Sequence, residues 1–148
     1  MSAKIQDPRF GEGSLLQIIM RILGIDYGSK RIGLSLSDER GSLAFPLVVL
    51  SNNKSVFKKI KEVCEKNNVL KIVLGIPLGY KVKSNLTEKA VKNFKLQLQK
   101  EISLELIFEN EVLTTQQAER FQGKNKKIDS SAAAIILQTY LDRLKSGH

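Results

Sequence analysis

Residues 23 to 38 read Leu-Gly-Ile-Asp-Tyr-Gly-Ser-Lys-Arg-Ile-Gly-Leu-Ser-Leu-Ser-Asp, and this stretch constrains the fold more than any other. Ile22, Leu23 and Ile25 form an apolar run that carries one carboxylate, Asp26, to its end. Gly28-Ser29-Lys30 then suits a tight turn, and Ile32, Leu34 and Leu36 alternate with small residues at the period of a strand. A hairpin with an acid at the first strand's tip and cations in its turn suits phosphodiester chemistry. The acid can hold a divalent cation, and Lys30 and Arg31 can neutralise a phosphate.

The bulk charge points the same way. The chain of 148 residues carries a formal net charge of +9, which favours an anionic partner, nucleic acid being the commonest. Its length suits one domain with a single core. One cysteine, Cys64, cannot form an internal disulfide or a zinc cluster, and it falls on an apolar helical stripe, as a small buried hydrophobe does. The one histidine is His148, at the chain end, which argues against a Ser-His-Asp triad or a His-ligated zinc. Catalysis must therefore rest on carboxylates, hydroxyls or lysines. The apolar stretch 15–25 is interrupted by Gln17, Arg21 and Gly24, short of the roughly 20 residues a spanning helix needs, so a cytoplasmic, membrane-free setting is expected.

Residues 1–19 lack periodicity and read as a flexible N-terminal arm, with Met20 as an alternative start of a folded unit reaching to about residue 145. The expected strands are 21–26, 31–38 and 45–50, the last entered through Pro46 as an edge strand permits. A helix capped by Asn53 or Ser55 carries Val56, Phe57, Ile60, Val63 and Cys64 on one face and Lys58, Lys59, Lys61 and Lys66 on the solvated other. The continuous apolar run 71–76 is a strand of the buried parallel type. A loop at 77–83 leads to a second helix capped by Asn85 or Thr87, lined by Ala90, Val91, Phe94 and Leu98. A fifth strand at 104–108 is followed by Glu109, Asn110 and Glu111. A short helix through Phe121, a basic loop at 123–127 and a last helix capped by Asp129 complete the chain. The order β-β-β-α-β-α-β-α-α makes an α/β fold: a mixed five-stranded sheet with helices on both faces.

Three acids sit where such a sheet gathers ligands, outside the carboxyl ends of its parallel strands: Asp26, Glu111 and, brought across by the last helix, Asp129. Each also has a plainer reading: a helix cap for Asp129, an exposed loop acid for Glu111, a partnered strand-end acid for Asp26. Clustered, the three would repel one another without a cation, and oxygen-only ligands select Mg2+ or Mn2+. Two such ions about 3.5–4 Å apart activate water and stabilise the leaving oxygen in phosphodiester hydrolysis.

Gly24-Ile25-Asp26-Tyr27-Gly28-Ser29-Lys30-Arg31-Ile32-Gly33, Leu74-Gly75-Ile76-Pro77-Leu78, Glu111-Val112-Leu113-Thr114-Thr115 and Asp129-Ser130-Ser131-Ala132-Ala133-Ala134-Ile135-Ile136-Leu137 resemble, in order, the four signatures of the YqgF family. These are RNase H-like proteins named as nucleases of pre-16S rRNA and formerly as Holliday junction resolvases. The resemblance runs from about Met20 to Leu144. It implies an RNase H-like fold, a Mg2+- or Mn2+-dependent nuclease site and maturation of the 5′ end of small-subunit rRNA, with Asp26, Glu111 and Asp129 on the family's acidic positions. Two departures stand out. Asn110-Glu111-Val112 replaces the usual Asp-Glu-Arg, and Tyr80-Lys81-Val82-Lys83 replaces an acidic-Gly turn.

The expected nucleic-acid contacts are Lys30 and Arg31 beside Asp26, Lys81 and Lys83 after the fourth strand, and Lys124, Lys126 and Lys127 before Asp129. Few aromatics accompany them, so base stacking is not the main binding mode. A P-loop is excluded because Leu34-Ser35 follow Gly33 where Lys and Ser/Thr are required. An actin- or sugar-kinase-like ATPase, which the Asp-x-Gly hairpin also resembles, needs two such domains. The remaining alternatives are a junction resolvase acting as a homodimer and a non-catalytic RNA-binding protein of ribosome assembly; the chain itself is compatible with a monomer or a dimer.

Overall fold

The computed structural model describes residues 21–77, 81–111 and 128–146, and within these the backbone alone at 76–77, 81–87, 110–111 and 128–131. The described elements are the strands β1 (Arg21–Tyr27), β2 (Arg31–Ser37) and β3 (Ala44–Ser51), then helix α1 (Val56–Lys66), β4 (Val69–Pro77), α2 (Lys81–Glu101), β5 (Glu105–Glu111) and α3 (Ile128–Lys145). The strands form one sheet in the order β3-β2-β1-β4-β5. The hairpin β1–β2 is antiparallel, as is β2–β3, whereas β4 and β5 join parallel to β1 through helical crossovers. The mixed five-stranded sheet expected from the sequence is the one observed.

Strand alternation sorts the two faces. Ile32, Leu34 and Leu36 share one face, as their spacing predicts, with Leu23, Ile25, Ile72 and Leu74. Helix α1 (Val56, Ile60, Cys64) and helix α2 (Val91, Phe94, Leu98) cover that face. Phe94 lies between Tyr27 and Phe57, with ring centroids 5.1 and 5.2 Å away. The opposite face holds Ile22 and Val73 under Ile136, Leu137, Tyr140 and Leu141 of α3. β4 is therefore buried from both sides, which is why Ile72-Val73-Leu74 runs apolar without alternation. Cys64 is buried, and burial, followed by the charge of Glu65, pushes its thiol up to about 12. β3 is the edge strand that Pro46 foretells, and Phe45, Leu47 and Val48 are exposed along it. Among the described residues, no helix is long and apolar enough to cross a membrane.

Four local expectations are corrected. Ser55 occupies the N-cap of α1 but its hydroxyl does not cap the helix; it donates instead to Asn53 Oδ1 at 2.8 Å, which also accepts the Ser55 N–H. Helix α2 begins at Lys81, so Lys81 and Lys83 lie in its first turn and not in a loop, and neither Asn85 nor Thr87 caps it. No Gly or Pro interrupts residues 81–101, and Val82, Leu86 and Ala90 extend the stripe of Phe94 and Leu98 backward at four-residue spacing. β5 continues to Glu111, so Glu111 ends the strand and does not follow it. Helix α3 starts at Ile128, which puts Asp129 inside the first turn and away from the cap. The expected helix at 114–121, the residue Val112, the arm at 1–19 and the lysines at 124, 126 and 127 lie outside the described residues.

Candidate active site at the carboxyl ends of the parallel strands

Asp26 is the penultimate residue of β1 and pairs with Gly33 of β2. The preceding pair on its other side is Ile25 with Leu74, so the next level of β4 is Gly75. Asp26 thus stands between two strands that carry no side chain beside it. It is half-buried and not without a partner. Alternation places it on the face of Ile22 and Gly24, the face that α3 covers.

The approach of α3 to that face is close. A Cβ on Gly24 would lie 2.4 Å from Ser35 Oγ, 2.8 Å from Leu137 Cβ and 3.0 Å from the Ala133 carbonyl oxygen. A Cβ on Gly75 would lie 2.5 Å from Ile136 Cδ1. Gly24 therefore lets helix backbone sit directly on strand backbone, and Gly75 makes room for the Ile136 side chain. The buried Ser35 hydroxyl fastens the contact by donating to the Ala133 carbonyl at 2.8 Å.

This seat fixes the direction of α3. Tyr140 accepts a hydrogen bond from Lys71 Nζ at 3.1 Å, near the amino end of β4, whereas Ala133 lies over Gly24. From Ala133 backward, the helix therefore runs toward the carboxyl ends of the strands. Position 129 is one turn earlier, about 6 Å along the axis, and Asp26 is two residues past Gly24, about 7 Å along the strand. The backbone brings positions 26 and 129 to one region. β5 contributes position 111, paired with Pro77, on the same face as Ile107 and Glu109. Topology thus gathers the three acidic positions of the sequence at one edge and on one face.

One functional group escaped the sequence reading. Glu109 is only 2% exposed and receives both terminal nitrogens of Arg143, Nη1 to Oε2 at 2.7 Å and Nη2 to Oε1. The hydrogen bond to Glu109 holds the Arg143 guanidinium above its ordinary value. This acid is committed to an ion pair that anchors α3 to β5. Its signal in the sequence was an arginine at three residues past Tyr140, on the inner stripe of an otherwise apolar helix face.

Lys30 and Arg31 are exposed at the tip of the hairpin, on the same edge as Asp26. Gly28 is obligatory there, because a Cβ would meet the Arg31 carbonyl oxygen at 2.4 Å. Lys81 and Lys83 follow the carboxyl end of β4 within a few residues, in the first turn of α2. Among the described residues, no cluster of three His, Cys, Asp or Glu capable of holding a metal is formed. The donor set proposed from the sequence draws on positions 111 and 129, which are described by backbone alone. Its chemistry, carboxylate oxygen only, fits a hard divalent cation.

Comparison with known proteins bears on this edge of the sheet. The family described as "RuvX: Holliday junction resolvase" matches residues 20–143. A protein of Sulfurihydrogenibium sp. (strain YO3AOP1), named "Putative pre-16S rRNA nuclease", is 41% identical over 84% of this chain and 91% of its own length. A protein of the same name from Maridesulfovibrio salexigens is 36% identical over 84% of this chain and 99% of its own. Among solved structures, RuvC of T. thermophilus in complex with a Holliday junction substrate superposes with a TM-score of 0.57 at 14% identity. The match covers 85% of this chain and 96% of that one, and it establishes likeness of fold.

Proposed function

Given that this chain belongs to the RuvX family, also called YqgF, we propose that it is a nuclease that hydrolyses phosphodiester bonds in the 5′ extension of pre-16S rRNA. The observation that carries the site assignment is the seating of α3 on Gly24 and Gly75, which brings position 129 toward Asp26 at the edge where β5 ends in Glu111.

In this reading Asp26, Glu111 and Asp129 hold Mg2+ or Mn2+, which when bound lowers the pKa of water and stabilises the leaving oxygen. Lys30 and Arg31 bind the phosphates that flank the scissile bond, and Lys81, Lys83, Lys124, Lys126 and Lys127 extend the contact. Gly33 puts no side chain beside Asp26 on the β2 side, whereas the space over Gly75 is taken by Ile136 of α3, so a nucleic-acid strand approaches the carboxylate from the hairpin side. Ser35 and the Glu109–Arg143 pair keep α3 in place. The setting is the cytoplasm, where the precursor is made.

Cleavage of a 5′-extended 16S precursor in Mg2+ or Mn2+, with the intact protein and Asp26→Asn side by side, tests the reading. Cleavage by the intact protein alone is expected, with RNA binding kept by the variant. Cleavage by both would remove Asp26 from the site, and binding without cleavage by either would favour a ribosome-assembly role. The description of the matched family favours one second reading, resolution of four-way DNA junctions. It demands a dimer that cuts two strands symmetrically, so paired nicks in a four-way junction by a sedimenting dimer are its signature.

A further inference from the structure

Asn52 follows the last residue of β3, far in sequence from the hairpin turn, yet it takes up three consecutive carbonyls of that turn. Its Nδ2 donates to Gly28 O at 2.9 Å and to Ser29 O at 3.3 Å, and its backbone N–H donates to Lys30 O at 2.9 Å. The residue before it, Ser51, is the register partner of Arg31. One residue thus ties down the whole segment between Asp26 and the start of β2.

Two physical consequences follow. A turn of exposed residues would otherwise sample many conformations, and each nucleic-acid contact would bear the entropy of ordering it. Three outward-facing carbonyl oxygens would also set partial negative charge beside any phosphate. Asn52 draws those oxygens inward, and Ser29, Lys30 and Arg31 are left exposed. We propose that Asn52 is a positioning residue that holds the Gly28–Arg31 turn as a preformed phosphate-binding platform for the nucleic-acid backbone next to Asp26. The inference rests on the proposal that this turn binds nucleic acid, and it is independent of whether the bound strand is cut.

The test is a binding cycle in metal-free buffer, with a fluorescent single-stranded RNA of the precursor's 5′ extension as probe. The variants are Asn52→Ala, Asn52→Asp (the same shape without amide donors), Asn52→Ser (a hydroxyl donor in place of the amide), K30Q/R31Q, and Asn52→Ala combined with K30Q/R31Q. Asn52→Ala and Asn52→Asp are expected to weaken binding by about 5- to 10-fold. They should also lower the slope of log affinity against log salt by about 0.7 for each phosphate that is no longer neutralised. Asn52→Ser should recover part of the affinity. If Asn52 acts through Lys30 and Arg31, the combined variant binds no more weakly than K30Q/R31Q. Full multiplication of the two effects would overturn the proposal, as would unchanged affinity in folded Asn52→Ala and Asn52→Ser proteins or in K30Q/R31Q. Because no metal is present, an intact cycle in a protein that never cleaves would sink the nuclease reading alone. Cleavage without the cycle would sink the Asn52 assignment alone.

Discussion

Replacing Arg143 by Met should destabilise this protein far more than replacing its partner, and the structure says why. The two halves of the ion pair are unequally buried: the Glu109 side chain is 2% exposed and that of Arg143 is 49% exposed. Arg143→Met strands a carboxylate in the interior, whereas Glu109→Leu leaves a guanidinium that is half in water already. Breaking a buried pair by removing one partner costs about 3–5 kcal/mol. Water admitted at the half-open arginine side places this case near the lower end, at about 3 kcal/mol. The Arg143 contact with the Tyr140 ring, 5.8 Å from its centroid, adds about 0.5 kcal/mol. For a chain of this size the sum corresponds to a fall in Tm of about 10 °C. Glu109→Leu should cost about 1 kcal/mol, and the double variant should recover most of the Arg143→Met loss. Urea denaturation at neutral pH reads these differences directly in the midpoint. Equal losses for Arg143→Met and Glu109→Leu would refute the argument.

Gly24→Ala should destabilise by about 1–3 kcal/mol and depress cleavage with it, because the new methyl meets the Leu137 Cβ and a helix carbonyl that only movement of α3 can relieve. Gly75→Ala should be milder in both thermal melting and cleavage assays, since its nearest neighbour is the terminal methyl of Ile136. Cys64, with its thiol pushed up to about 12, should resist thiol reagents at pH 8 in the native protein and react at once in denaturant. A chelator should abolish cleavage of the rRNA precursor while leaving metal-free RNA binding within about threefold, measured by fluorescence anisotropy; loss of both together would mean that the metal also binds the RNA.

The alternation of Ile32, Leu34 and Leu36, the unbroken apolar run of β4 and the stripe that buries Cys64 were all readable from spacing, because burial on one or two faces leaves a period in the chain. Asp26 was readable because an acid ending an apolar strand is anomalous in itself. The start of α2 was hidden. Asn85 and Thr87 are cap-type residues, and only the longer stripe through Val82 and Leu86 shows that the helix begins at Lys81. Glu109 was hidden for a different reason. Beside Asn110 and Glu111 it looks like one more polar residue leaving a strand, and its burial depends on Arg143, which lies 34 residues away in sequence. The three hydrogen bonds of Asn52 are equally non-local, joining positions more than 20 residues apart.

The seat of α3 on Gly24 also sets an order of events as the polypeptide is made. Ser35 and Ala133, which fasten that seat, are 98 residues apart. β1, β2 and β3 are complete in the chain long before the helix that carries Asp129, which is the last of the described elements to be synthesised. On the assignment proposed here, the acids converge only when that helix docks, so cutting waits for nearly the whole of the described chain.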